Sequence, residues 1–307
     1  MEYYELLPDV YRIQAGVGSD GEIFGGLFLD DDPGVLIGCS GGSRFVSAFR
    51  ELIEDLKFND DIRVYLPVVT YHEITTASLL KDQLPNVTFY VHTDIIDEFQ
   101  YPRENFMVNR YFSTNTAEKF FSKNLPREIS DVIAFDKSAS LETKHTKILI
   151  IPFDGPHKGH SFIYSRDHKL LCSGMILGRT SDPRKYYIDR SGSIFQYKNA
   201  LSFLEKARSE IIFPIYDEPE FSSDLKFKSQ NVRDALDNDM KNILDLCSSK
   251  FKTLEELTGE YLKLYGEKNN SEPYDLVDLN ELRVYQYLQQ FIEDKLVTLQ
   301  EDQYRLN

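Results

Sequence analysis

The chain has 307 residues, 41% hydrophobic and 13% aromatic, which suits one large domain or a large and a small one and excludes a disordered polymer. Its 50 acidic against 35 basic residues leave a net charge of −15. That mean field repels phosphates and anionic lipid alike, so neither nucleic acid nor a membrane is expected as a partner.

Three cysteines, Cys39, Cys172 and Cys247, lie far apart with no C-x-x-C pair and read as small hydrophobes of a reduced protein. The N-terminal MEYYELLPDVYRI lacks the basic and apolar regions of a signal peptide. No apolar run approaches the roughly 20 residues of a membrane span, and the expected location is cytoplasmic.

In chain order, residues 9–14 and 22–39 read as strands, with Asp30-Asp31-Asp32-Pro33-Gly34 as a hairpin turn. A calcium loop is the other reading of this acidic run, but it lacks the further ligands such a loop needs. Ser43 is expected to cap a helix with the stripe Phe45, Val46, Phe49, Leu52, Ile53 and Leu56. A buried strand over 62–69 follows, then a loop at 70–76, a helix through Leu79-Leu80 and a strand at 87–92. The stretch 94–130 is irregular and aromatic (Phe99, Tyr101, Phe106, Tyr111, Phe112, Phe120, Phe121); it reads as core packing, with a lid or partner surface as the alternative.

Strands return at 131–135, 139–143 and 147–151. The segment 152–177 then reads as a strand end, a Gly/Pro/His loop, a strand, a turn at Ser165-Arg166-Asp167-His168 and a buried strand closed by Ser173-Gly174. A helix over 197–208 precedes the strand Glu210–Pro214. From Ser222 onward the composition turns helical: a helix at 229–248, one opening at Thr253, a polar break at Asn269–Pro273, a helix from about 277 to Lys295, and a hairpin from Leu296.

The order sheet, helices, sheet, helices predicts an α/β (α+β) four-layer αββα sandwich over 1–222, followed by a helical, winged-helix-like unit over 223–307. The last helix carries Asp278, Glu281, Glu293 and Asp294 against Arg283 alone, which suits docking or homodimer formation better than a DNA groove.

The 152–177 frame resembles the metallo-β-lactamase family, in which a G-H-T-P-G-H-S loop is followed by two strands ending in S-G-D. Leu7–Arg12, Val35–Gly41 (where the family has L-I-D-T-G), Ser181-Asp182-Pro183-Arg184 and Phe213–Pro219 extend the likeness over nearly the whole chain. It is most similar to the beta-lactamase-like protein 2 group, metallohydrolases with a winged-helix-like tail. The resemblance implies a dinuclear centre that activates a water, its ions about 3.5–4 Å apart.

The ligand letters, however, are lost. Where the family writes H-x-H-x-D-H, this chain has Tyr71-His72-Glu73-Ile74-Thr75-Thr76. Tyr71, Glu73, Thr75 and Thr76 stand at ligand positions, Pro156, Met175 and Tyr216 at the other three, and Gly38 at the supporting aspartate. Of the seven, Glu73 alone binds a hard metal well, as the glutamate of the family's diiron branch does there.

The expected protein is therefore a non-catalytic binding or regulatory pseudoenzyme without a cofactor, its partner a protein or a small molecule. Its candidate pocket is formed by Tyr71, His72, Glu73, Thr75, Thr76, Pro156, His157, Met175 and Tyr216. The alternative is a divergent hydrolase of an ester, thioester or phosphodiester. It would use one zinc, iron or manganese ion held by Glu73 with His157 or His160, with Asp154 close by and His72 turned away.

Other chemistries have less support. Ser40-Gly41-Gly42-Ser43 offers amides to an anion but lacks the lysine and spacing of a P-loop. Cys39 reads as a buried thiol rather than a nucleophile.

Overall fold

The structure, a computed structural model, describes residues 2–18, 22–102, 126–177, 186–221, 225–247, 250–265 and 279–307. The first sheet contains β1 (Tyr3–Leu7), β2 (Val10–Val17), β3 (Ile23–Leu29), β4 (Gly34–Ile37), β5 (Ile62–Tyr65), β6 (Val87–His92) and β7 (Val132–Phe135) in sequential order. Pairing is antiparallel from β1 to β4 and parallel from β4 to β7. The parallel half is joined by α1 (Ser43–Asp55) and α2 (Tyr71–Gln83), and by a short helix α3 (Ile96–Gln100) after β6.

The second sheet runs β13 (Glu220–Phe221), β12 (Ile211–Pro214), β11 (Leu170–Gly174), β10 (Ser161–Ser165), β9 (Lys147–Pro152) and β8 (Ala139–Glu142). Helix α4 (Ile194–Leu204) connects β11 to β12 as a parallel crossover.

Period-two alternation sorts the side chains into layers. On β4, Leu36 faces one way into a core with Ile13, Phe28, Phe45, Phe49, Val64 and Phe89 beneath α1 and α2. Its neighbours Val35 and Ile37 face the other way, against Ile148, Ile163, Cys172 and Phe213 of the second sheet. On β10, Phe162 and Ile163 divide in the same manner, Phe162 lying under α4 with Tyr197 and Leu201. Three apolar clusters thus separate four layers, an αββα arrangement.

The C-terminal stretch contains α5 (Leu225–Leu246), β14 (Lys252–Thr253), α6 (Leu254–Leu264), α7 (Leu279–Glu293) and the hairpin β15 (Val297–Gln300) and β16 (Gln303–Leu306), with the small sheet ordered β14-β16-β15. Its apolar residues Leu236, Leu257, Tyr287, Leu288 and Tyr304 are continuous with the cluster under α4. Among the described residues no helix is long and apolar enough to cross a membrane.

Several boundaries differ from the sequence reading. Strand β1, paired along β2, has no counterpart in it. The expected loop at 70–76 is helical from Tyr71, because Thr70 and Glu73 close a reciprocal capping box. Ser43 is the first residue of α1 rather than its cap; Gly42 holds that position without a side-chain hydrogen bond. Helix α4 starts three residues earlier than expected because Ser193 accepts from the Gln196 amide. Helix α5 likewise begins at Leu225, before the expected 229. The segment with Phe106, Tyr111, Phe112, Phe120 and Phe121, the motif Ser181–Arg184, the break at Asn269–Pro273 and Asp278 all lie outside the described residues.

Candidate functional site

The first turn of α2 occupies the place where the resemblance puts the first metal ligands. Thr70 caps the helix: its hydroxyl accepts from the His72 amide, and its own amide donates to Glu73 Oε2 at 2.9 Å. The Thr70 hydroxyl also reaches the same carboxylate at 2.5 Å. From 143 residues away, Tyr216 at the end of β12 donates its phenol to Glu73 Oε1 and Oε2 at 2.7 and 2.8 Å. Glu73 is completely buried. Burial outweighs these donors and pushes its carboxyl up to about 7, while burial and the Glu73 charge hold the Tyr216 phenol well above its ordinary range.

His72 does not turn away from Tyr71. Helical spacing sends Tyr71, His72 and Thr75 together to the wall of a cavity of about 340 Å³, and Glu73 inward. The His72 ring lies 4.7 Å from Phe24 and 6.3 Å from Tyr216, centroid to centroid. Ala15, Gly16, Val17, Gly41, Gly42 and Arg44 also line the cavity. Thr76 takes a structural bond, its hydroxyl accepting from the Gly42 amide at 2.8 Å and donating to the His72 carbonyl at 2.7 Å, which fixes α1 to α2.

The remaining candidates sit on the loop between β9 and β10 and at the end of β11. His157 and His160 are fully buried, their rings 5.4 Å apart. His157 Nδ1 lies 2.7 Å from the Lys158 carbonyl. His160 Nε2 accepts from the Met175 amide at 3.2 Å, so its hydrogen is on Nδ1. Burial, with His157 beside it, holds its pKa well below the usual histidine value, which makes it a neutral imidazole. Asp154 accepts from Gly159 N–H within its own loop. The Pro156 carbonyl accepts from the Asp189 amide at 2.9 Å.

Among the described residues, no three His, Cys, Asp or Glu side chains stand together as a metal ion requires. Cys39 is buried, and that burial raises its thiol well above the ordinary value, so it carries no thiolate nucleophile.

Thr70, Gly16, Phe24 and Arg44 are absent from the site as read from the sequence. Thr70 was legible, because T-x-x-E ahead of a helix is the capping-box signature. Arg44 was not: nothing local marks an arginine that will line a cavity.

No known protein family and no curated protein matches this chain in sequence. Solved structures do match it. A metallo-beta-lactamase family protein from Thermus thermophilus superposes with a TM-score of 0.72 over 99% of this chain and 100% of its own, at 12% identity. A beta-lactamase domain protein from Burkholderia ambifaria gives 0.76 over 99% and 93%, at 11% identity. A metallo-beta-lactamase from Pontibacter korlensis gives 0.57 over 77% of this chain and 99% of its own, at 11% identity. Over nearly its whole length the chain has the fold of metallo-β-lactamase family proteins.

Proposed function

We infer that this protein is a non-catalytic binding protein built on a hydrolase scaffold, a pseudoenzyme without the dinuclear centre. The observation that carries this reading is the environment of Glu73. It is the one residue at the seven ligand positions suited to a hard metal, and its carboxylate is occupied by the Thr70 amide, the Thr70 hydroxyl and the Tyr216 phenol. Of the other positions, proline has no donor atom, and methionine, threonine and tyrosine are poor partners for a hard ion. The displaced mononuclear site has less support, because the His160 Nε2 lone pair is taken by the Met175 amide.

In the same reading, residues 1–222 form the sandwich and 223–307 a winged-helix-like docking unit, as in the beta-lactamase-like protein 2 group. The order of three helices and a terminal hairpin supports that unit, and the acidic last helix favours a protein partner or a second copy over nucleic acid.

Metal content of protein purified without chelator, compared with Glu73→Ala and His157→Ala, tests the reading. Sub-stoichiometric zinc, iron and manganese is expected in all three proteins. A full equivalent in the wild type that both substitutions remove would overturn it.

A further inference from the structure

The cavity beside α2 has a composition that the loss of a metal centre does not explain. Its volume of about 340 Å³ lies within the roughly 300–1,000 Å³ of small-molecule sites. One part of its wall is aromatic, formed by Phe24, Tyr71 and His72, with Phe24 and His72 tilted against each other at 43°. Another part is the guanidinium of Arg44. An added Cβ at Gly16 would stand 3.3 Å from Arg44 Nη1, so the glycine leaves the room along which the arginine lies. Among the described residues Arg44 makes no salt bridge, in common with Arg63, Arg166, Arg208 and Arg305, whereas Arg50 on the same helix pairs with Glu54. In a chain of charge −15, a guanidinium left for another partner beside aromatic rings is a matched pair of features: rings for a flat apolar body, a fork of N–H donors for a carboxylate.

We propose that this cavity binds a small aromatic carboxylate, its ring against Phe24 and His72 and its carboxylate on Arg44. The orientation follows from the lining: Arg44 is its arginine, and Phe24 and His72 are its packed rings. The wall is preformed, since Thr76 joins α1 to α2 through the Gly42 amide. The site rests on the reading of the protein as a binding scaffold, and supplies a ligand class for it.

Calorimetric and ligand-observed NMR titration of the full chain with benzoate, 4-hydroxybenzoate and the neutral benzamide decides the matter. Both carboxylates should bind at least about tenfold more tightly than benzamide, the scale of one charge-assisted hydrogen bond. Arg44→Gln, on the surface and away from the core, should abolish that preference while leaving the thermal midpoint unchanged. Phe24→Leu should weaken carboxylate and amide alike. No binding of any probe, equal binding of carboxylate and amide, or a preference that survives Arg44→Gln would each overturn the proposal. Metal analysis separates the two levels: metal-free protein that ignores the carboxylates removes this site alone, whereas stoichiometric metal removes the scaffold reading whatever the titration shows.

Discussion

The Tyr216 phenol bridges both carboxylate oxygens of Glu73, at 2.7 and 2.8 Å, across the gap between the end of β12 and the start of α2. It ties the second sheet to the first helical layer at a point where the resemblance would put an ion. Tyr216→Phe keeps the ring and removes the donor. Leaving a buried acceptor short of one partner costs about 1–3 kcal/mol, so the urea midpoint should fall by that equivalent. The Glu73 pKa should rise further, because the lost bond favours the ionised form. An unchanged midpoint would show that the bridge contributes nothing to stability.

Glu73 also sets a pH dependence. Its folded pKa, raised from 4.5 to about 7, lies above the unfolded value, so the native state binds the proton more tightly. Stability should therefore fall as pH rises from about 4.5 to about 7 and level off above, by up to roughly 3 kcal/mol. Glu73→Gln does not titrate. Its stability relative to wild type should improve steadily between about pH 4.5 and about pH 7 and change little above, in paired denaturation curves. A difference that is flat with pH would refute the assignment.

Gly38 stands where the family writes its supporting aspartate, and the backbone now requires a glycine. Its φ is +71°, and an added Cβ would lie 2.2 Å from Ile215 Cδ1. The isoleucine tip can swing aside, but the left-handed backbone cannot be relieved. Gly38→Asp and Gly38→Ala should each lower stability by about 1–3 kcal/mol, measured by thermal unfolding. An aspartate tolerated at no cost would mean that the position still accepts the family residue.

The C-terminal helices hold the loop that holds His157. Gln286 on α7 donates to the Asp189 and Arg190 carbonyls, both at 2.8 Å, and Arg283 donates to the Tyr186 carbonyl at 3.1 Å while lying 4.2 Å over the Tyr186 ring. Asp189 and Ser193 amides in turn donate to the Pro156 and Gly155 carbonyls, each at 2.9 Å. Gln286→Ala should speed amide exchange at Asp189 and Ser193 by roughly tenfold or more, the effect of losing two bonds of about 1 kcal/mol each. Protection that persists unchanged would separate the helical unit from this loop.

The residues themselves were sufficient for the frame. Alternating Leu36 and Ile37, the stripe from Phe45 to Leu52, and the spacing of the 152–177 loop specify elements whose apolar faces can be buried in only a few ways, so layer order followed from pattern. The departure from the family's letters was equally legible, since Pro156 and Met175 stand where the resemblance puts metal ligands.

At one point local chemistry outweighs the resemblance. Thr70 and Glu73 spell a capping box, which makes a helix of a segment that reads as a ligand-bearing loop by likeness to the family. What no local pattern carries is the partner of Glu73. Tyr216 is 143 residues away, and only the packing of β12 against the start of α2 brings its phenol to the carboxylate. The same holds for Arg44 beside Gly16, Phe24 and His72: each is an ordinary residue in its own segment, and their common cavity exists because separate elements meet at one place. Burial set the protonation of Glu73 as well, since desolvation depends on the whole surroundings of a group and not on its neighbours in sequence.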